Sequence, residues 1–294
     1  MKAAPFEYSR AASIEEACAL LSADENARVI AGGQTLVAMM AMRLARPTRL
    51  IDINRIAALS YIRAEADTIA IGATTRQCVV ERDALVAKKA PLLARAIPWI
   101  GHAATRARGT IGGSLANADP AAECALIAIA LDARLSYRAG FKDAEIAARD
   151  FFVGPMVTAL PAGALLTAVR FPVWSGKIGG GFHEVNARRS DFAFVSAAAQ
   201  VEIGGDGACK RIAIAVGAVG DFPLRLTSAE AALKGGKLDD VAIKNAVTQA
   251  LADIEALADL HASAEYRKRV AITLAARAVT DARDHALGKT PHAH

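Results

Sequence analysis

The sequence predicts an α+β protein made of two unequal parts. Its 294 residues are close to the size at which chains divide into two domains. Strand and helix patterns alternate through residues 1–175, whereas three strand patterns and then three helical patterns fill the remainder. We therefore expect a first domain at 1–175, with subdomains of about 1–57 and 58–175, and a second domain at 176–294. A glycine-rich segment, residues 176–181, is the expected linker.

Composition indicates a globular protein and argues against several classes of function. Hydrophobic residues make up 53% of the chain and charged residues 22%. The longest apolar run, residues 124–131, is far shorter than the ~20 residues that cross a bilayer. The first residues lack the apolar core of a signal peptide, so we expect a cytoplasmic protein without a membrane span. The net charge of +5 is scattered, with no basic stripe, and we expect no nucleic-acid partner.

The first 57 residues predict a β-α-β-α-β unit. Ser13 followed by Glu16 forms a capping box, which marks the start of a helix. A later strand leads into Gly32 and Gly33, and a helix follows at once, as in phosphate-binding loops. The predicted elements are a strand near residues 6–8, a helix at 13–21, a strand at 28–31, a helix at 36–44 and a strand at 50–53.

The remainder of the first domain predicts shorter elements of both kinds. Pro91 and Pro120 mark helix starts, because proline is favoured in the first turn. A strand hairpin is expected at residues 59–62 and 68–72, helices at 74–80, 91–100 and 120–131, and strands at 133–138, 144–147 and 165–171. The second domain predicts strands at residues 182–187, 193–203 and 211–219, and helices at 228–233, 239–250 and 264–285.

Residues 108–123 form a second glycine segment. We expect a β-type lead-in at 109–111, a turn at Gly112 and Gly113, and a helix that Asp119 caps. Glycines let a backbone approach a ligand closely, and the amides at a helix start attract anions. One Gly-Gly pair after a strand is usually a plain turn. Two such segments, each followed by hydroxyl or amide side chains and a helix start, predict a clamp on a large polyanionic cofactor.

Other chemical signatures do not occur. The sequence has no GxxxxGK[ST] loop, no GxGxxG after a strand and no nucleophile elbow. The four cysteines are isolated, and the histidines show no HExxH spacing, so we expect no metal ligands in this chain. The cysteine positions are Cys18, Cys78, Cys124 and Cys209.

Three blocks of sequence together resemble the FAD-binding (medium) subunits of three-subunit molybdenum hydroxylases, in the xanthine dehydrogenase family. This group includes the medium subunit of carbon monoxide dehydrogenase and the FAD subunits of quinoline and nicotine dehydrogenases. The blocks are AGGQTL at residues 31–36, RGTIGGSLANADP at 108–120, and GFHEV at 181–185, followed by Arg188 and by Asp191, Phe192 and Ala193. The likeness extends over essentially the whole chain.

The resemblance implies a fold and a role. The fold is a two-subdomain PCMH-type FAD-binding domain, similar to vanillyl-alcohol oxidase, followed by a small domain with a three-stranded sheet and helices. The role is that of an oxidoreductase subunit. Substrate is hydroxylated at a molybdenum cofactor in a large molybdopterin subunit. Electrons pass through two [2Fe–2S] clusters of a small iron–sulfur subunit to the FAD held here, and then to an external acceptor. The expected assembly is an (αβγ)2 heterohexamer.

The resemblance also implies cofactor contacts, with no catalytic residue apart from the flavin itself and no metal ligand. The implied contacts are Ala31, Gly32, Gly33, Gln34, Thr35, Leu36, Ile100, His102, Thr110, Gly112, Gly113, Ser114, Asn117, Asp119, Glu123, Leu165, Leu166 and Phe192. Two positions depart from the family pattern. Many relatives have a lysine after the position of Phe182, near the flavin, but this chain has His183 and Glu184 there. The absence of that positive charge argues against NAD as the electron acceptor. At the second position, Phe192 replaces a tyrosine that some relatives have.

The sequence leaves two alternative functions open. A stand-alone flavoprotein oxidase of the vanillyl-alcohol oxidase type would need its own substrate base and a larger substrate domain, and neither is evident. A scaffold that has lost its cofactor would not need the intact glycine segments. For a hydroxylase subunit, we expect the large subunit to select the substrate, whether an N-heteroaromatic compound, an aldehyde or carbon monoxide.

Overall fold

The computed structural model describes residues 2–289. The N-terminal part is a parallel three-stranded sheet with two helices, as predicted. Its strands are β1 (Glu7–Arg10), β2 (Arg28–Ile30) and β3 (Arg49–Asp52), in the order β1-β3-β2, and its helices are α1 (Ile14–Ala23) and α2 (Leu36–Ala41). The predicted cap of α1 is confirmed, because the Ser13 hydroxyl accepts a hydrogen bond from the Glu16 amide.

A five-stranded antiparallel sheet follows. Its strands are β4 (Ile62–Ala64), β5 (Thr68–Gly72), β6 (Arg134–Ala139), β7 (Lys142–Ala147) and β10 (Leu165–Pro172), in the order β4-β5-β10-β6-β7. A small hairpin, β8 (Phe152–Gly154) and β9 (Val157–Thr158), precedes β10. The predicted first strand of the hairpin at 59–62 is wrong, because Ala57–Leu59 form a 3₁₀ turn and β4 begins only at Ile62.

Seven short helices connect the strands of this part of the chain. They are α3 (Gln77–Arg82), α4 (Ala84–Lys89), α5 (Pro91–Ala96), α6 (Ala103–Arg108), α7 (Ile111–Asn117), α8 (Glu123–Ala130) and α9 (Ala148–Phe151). Helix α8 is central, since every residue after Glu123 is buried. Its lack of a polar face explains why it lies between layers instead of on the surface.

The C-terminal part is an antiparallel sheet backed by helices. The strands are β11 (Lys177–Val185), β12 (Val195–Ile203), β13 (Cys209–Gly217) and β14 (Leu224–Arg225), and the helices are α10 (Thr227–Leu233), α11 (Asp240–Ala250) and α12 (Ala264–Ala286). The predicted sheet of three strands is therefore one strand too small. Helix α12 covers one face of β11 and β12, and α5 and α8 of the first part pack on the other face.

The predicted linker at 176–181 is wrong, because residues 177–181 belong to β11, and Gly179 and Gly181 pack against α12. A Cβ at Gly179 would lie 1.9 Å from the carbonyl oxygen of Ala282, and one at Gly181 would lie 2.0 Å from that of Ala278. The strand and the helix backbone therefore touch directly, which only glycine permits. No helix within residues 2–289 is long and apolar enough to cross a membrane.

Candidate cofactor site

A cavity of about 590 Å³ lies between the two glycine segments. Its volume is in the range of small-molecule and cofactor sites. Every cofactor contact implied by the sequence lines this cavity except His102, which is exposed and precedes α6. The structure also places Ala73, Gln77 and Thr105 on the wall, which sequence reasoning did not find, because they lie outside the glycine segments.

The first glycine segment, residues 31–36, offers unused backbone donors to the cavity. Within residues 2–289, the amides of Gly33, Gln34 and Thr35 have no hydrogen-bond acceptor in the chain. Gly33 has φ +71, a conformation that glycine adopts at little cost and that turns the chain into α2. Amides left open before a helix form an anion site. This part of the prediction corresponds to the observed geometry.

The two glycine segments are packed against each other. A Cβ at Gly32 would lie 2.5 Å from the carbonyl oxygen of Arg108 and 2.8 Å from the Cα of Gly109. A Cβ at Gly109 would in turn lie 2.4 Å from Oε1 of Gln77. Both glycines are therefore needed for close approach within the protein itself, and the separation of the segments is determined by backbone contact.

Arg76 ties the two segments together by hydrogen bonds. Its guanidinium donates to the carbonyl oxygen of Arg108 and, at 2.7 Å, to Oδ1 of Asn54. The Asn54 side chain donates at 2.9 Å to the carbonyl oxygen of Ala31, in the first segment. Burial lowers the pKa of Arg76, and the nearby charge of Arg108 acts in the same direction. A half-buried guanidinium thus joins the two glycine segments through Asn54.

The second glycine segment differs from its predicted form. Gly112 and Gly113 lie in the first turn of α7. The predicted β-type lead-in at 109–111 is confirmed for Thr110, which is extended and forms an antiparallel bridge with Arg76, whereas Ile111 already belongs to α7. The amides there are already used: Gly113 donates to the Thr110 hydroxyl at 3.0 Å and Gly112 to the Ala73 carbonyl at 2.9 Å. A Cβ at Gly112 would lie 2.5 Å from that of Ala73, so glycine is needed for packing. This segment therefore contributes mainly side chains to the cavity, among them Ser114, because the amides of Gly112 and Gly113 are already in use.

Asp119 is not the cap of α8, contrary to the prediction. Its Oδ1 accepts a hydrogen bond from the Ala121 amide at 2.9 Å and closes a turn. Helix α8 begins at Glu123, and the preceding Ala122 gives no side-chain cap. The turn follows Ala118, whose φ of +51 ends α7. Asp119, in this turn, and Glu123, at the start of α8, both line the cavity.

The acidic groups of the wall hold protons more tightly than usual. Burial, together with the charge of Asp119, raises the pKa of Glu123 to about 7. Burial also raises the pKa of Asp119. A carboxyl group that stays protonated can donate a hydrogen bond and does not repel an anion. The wall is therefore compatible with an anionic ligand despite its two carboxyl groups.

Two further features indicate a ligand that is partly polar and partly apolar. Oε1 of Gln77 is buried on the cavity wall without a hydrogen-bond partner within residues 2–289, which suggests that a ligand satisfies it. Buried Leu165 and Leu166 of β10, with Ile100 opposite, provide an apolar surface for a ring system. Phe192 is 73% exposed at the rim.

Comparison with known proteins explains this combination. Residues 4–174 match the family described as FAD binding domain in molybdopterin dehydrogenase. The chain belongs to this family. Residues 181–282 match the CO dehydrogenase flavoprotein C-terminal domain. The two family models together account for both parts of the chain, and its first part is an FAD-binding domain.

Individual relatives cover nearly the full length. The chain is 36% identical to the 6-hydroxypseudooxynicotine dehydrogenase complex subunit alpha of Paenarthrobacter nicotinovorans, over 96% of each chain. Carbon monoxide dehydrogenase from Hydrogenophaga pseudoflava superimposes with a TM-score of 0.94 at 33% identity, covering 97% of this chain and 99% of that one. Quinoline 2-oxidoreductase from Pseudomonas putida 86 gives 0.93 at 33% identity, covering 98% and 100%. The chain is accordingly an oxidoreductase flavoprotein subunit of this family.

Proposed function

We propose that the chain is the electron-transferring FAD subunit of a three-subunit molybdenum hydroxylase. In this complex, substrate is hydroxylated at molybdenum in a large subunit, and two [2Fe–2S] clusters of a small subunit deliver the electrons to this chain. The acceptor is external to the complex. The assembly is an (αβγ)2 heterohexamer, and the chain divides at about residue 175 into the FAD-binding domain and the C-terminal domain.

The open amides of the first glycine segment carry this proposal. Gly33, Gln34 and Thr35 line the cavity, and their open amides would bind the diphosphate of FAD. Flavin, when bound, supplies the capacity to accept and release electrons. The remaining residues bind and orient it. Gln77 presents a buried acceptor, Glu123 presents a donor when it is protonated, and the two leucines of β10 exclude water from the ring.

The experiment is to purify the complex after co-expression with the large and small subunits. We expect an acid-extractable FAD at one per copy of this chain, and bleaching of the flavin spectrum when substrate is added without an acceptor. Carbon monoxide, aldehydes and N-heteroaromatic compounds form the substrate panel. A purified complex without flavin would overturn the proposal.

The same preparation tests the stand-alone oxidase alternative. The isolated chain, loaded with FAD, is assayed against the same compounds with oxygen as the acceptor. We expect no turnover without the partners, because the residues of the cavity wall bind and orient but include no paired nucleophile and base. Turnover by the isolated chain would favour the alternative.

A further inference from the structure

The side-chain amide of Asn54, two residues after the end of β3, makes three hydrogen bonds behind the first glycine segment. Its Nδ2 donates to Oδ1 of Asp52 at 2.6 Å and to the carbonyl oxygen of Ala31 at 2.9 Å. Its Oδ1 accepts from the Arg76 guanidinium at 2.7 Å. Both amide hydrogens and one lone pair of the oxygen are therefore in use.

These partners allow one orientation of the Asn54 amide. Rotation by a half turn would place its oxygen against two acceptors and its NH2 group against a guanidinium that can only donate. Asp52 is held in place as well, because its Oδ2 accepts from the Tyr8 hydroxyl and its Oδ1 accepts from the Asn54 backbone amide at 2.9 Å. Burial opposes ionisation of Asp52, but the hydrogen bonds from Tyr8 and Asn54 outweigh burial and lower its pKa. Ionised Asp52 only accepts, so the NH2 group of Asn54 must face it and Ala31.

The bond from Asn54 to Ala31 sets the direction of the next amide in the chain. The peptide bond between Ala31 and Gly32 is trans, so the Ala31 carbonyl and the Gly32 N–H point in opposite directions from one plane. Asn54 lies off the cavity wall, whereas Gly32 lines the cavity. The Gly32 N–H has no acceptor within residues 2–289. It is therefore an open donor that points away from Asn54.

The following peptide shows the same arrangement. Nε2 of Gln34 donates at 3.2 Å to the carbonyl oxygen of Gly32, and the Gly33 N–H has no acceptor in the part of the chain that the structure describes. Two successive carbonyls are thus held by side-chain amides, while the N–H groups of the same two peptides stay open. Successive open N–H groups bind anions. Of the two side chains, Asn54 is the one anchored to β3 and to Arg76.

We propose that Asn54 is a positioning residue for the diphosphate of FAD. It does not touch the cofactor; it holds the Ala31 carbonyl so that the Gly32 amide, beside that of Gly33, is presented to the phosphate oxygens. Its other two partners hold the Asn54 amide in turn. Contact between the glycine segments sets their spacing, whereas this side chain sets the direction of a donor. The assignment rests on the proposed function, because FAD is the ligand in question.

Asn54→Asp tests the assignment directly, because it replaces an NH2 group by oxygen with little change of size. The variant loses the donor to Ala31 and keeps the acceptor for Arg76. Flavin-free full-length protein is titrated with FAD, and the Kd for ADP is measured by competition with FAD. We expect both Kd values to rise by the same factor, roughly 10- to 150-fold, as for one hydrogen bond to a charged group. Asn245→Asp, at an exposed position of α11, makes the same chemical change and should bind both ligands as wild type does.

A double variant separates positioning from loss of stability. In Asn54→Asp two carboxylates face each other, which should lower Tm. Adding Asp52→Asn removes this repulsion and should restore much of the Tm, but position 54 still has no donor for Ala31, so ADP affinity should stay low. Return of both Tm and ADP affinity to wild-type values in the double variant would overturn the positioning role.

Three other results are informative. Wild-type Kd values in Asn54→Asp would overturn the role, and so would weaker FAD binding with unchanged ADP binding, because the effect would then lie at the flavin ring. Failure of ADP to compete with FAD on the wild-type protein would overturn it as well. A wild-type protein that binds neither FAD nor ADP would overturn the proposed function itself.

Discussion

Replacing Gly32 with alanine tests whether contact between the two glycine segments shapes the FAD site. The added Cβ would lie 2.5 Å from the carbonyl oxygen of Arg108, whereas ordinary van der Waals contact begins at 3.4 Å. The segments must therefore separate by roughly 0.9 Å, the difference between these distances. Overpacking of this kind costs about 1–3 kcal/mol, and about 1.4 kcal/mol is a tenfold change in affinity. We expect the Kd for FAD to rise roughly 5- to 150-fold.

The assay is titration of the flavin-free protein with FAD, followed by the change in flavin fluorescence. Thermal unfolding of the flavin-free protein gives the stability of each variant. Gly205→Ala is the matched control, because a Cβ there meets nothing within 4 Å and the chemical change is identical. We expect a lower Tm and a higher Kd for Gly32→Ala, and neither for the control.

Two results would contradict the reasoning in different ways. If Gly32→Ala matches the control in both Kd and Tm, the segments are not in contact. If its Tm falls while its Kd is unchanged, the contact stabilises the fold but does not position the FAD-binding amides.

Three further predictions follow from other contacts. Arg76→Gln removes the charged donor that joins the two segments, and it should lower flavin content and lower apparent stability by about 1 kcal/mol, the typical net value of a hydrogen bond. Arg82→Gln, on the exposed side of α3, should change neither, and equal flavin content in both variants would contradict the clamp. Gly181→Ala places a Cβ 2.0 Å from the backbone of α12, and this variant should lower Tm far more than Gly205→Ala. Equal Tm values for the two variants would disprove the close approach of β11 to α12. Burial raises the pKa of Glu184 to about 8 in the folded state, from an ordinary value of 4.5. Between these two pH values the folded state binds more protons than the unfolded state, so the contribution of Glu184 to stability falls as pH rises. Glu184→Gln should therefore gain in Tm over wild type from pH 5 to pH 8, and a constant difference would refute the shift.

Local signals in the sequence were sufficient for the elements that depend on neighbouring residues. The capping box at Ser13 and Glu16 gave the correct start of α1, since both partners lie within one turn. The strand, the glycine turn and the helix of the first glycine segment are predicted correctly because they are consecutive in the chain, and the role of the segment in phosphate binding stays a prediction. The cavity residues followed mainly from the family resemblance, and His102 was the one among them that the structure places off the wall.

Errors arose where a residue is determined by a distant part of the chain. Gly179 and Gly181 looked like a flexible linker, but their partner is α12, about a hundred residues later. Gly112 has the pattern of a turn residue, whereas it packs on Ala73, which follows β5. Asp119 and Pro120 have the composition of a helix start, yet Asp119 closes its own turn instead. Glycine and aspartate patterns alone do not distinguish a turn from a close tertiary contact.

The hydrophobic core that α5 and α8 share with the C-terminal sheet limits how this protein can be divided. Phe182, Ala198, Ala213 and Ala215 pack in the same cluster as these two helices. Truncation near residue 175 would expose that apolar surface to water, including the side of α8 behind the cavity. The FAD-binding half is therefore not an independent module. An exchange of C-terminal regions between relatives would succeed only where the small, alanine-rich face of the incoming sheet matches α8.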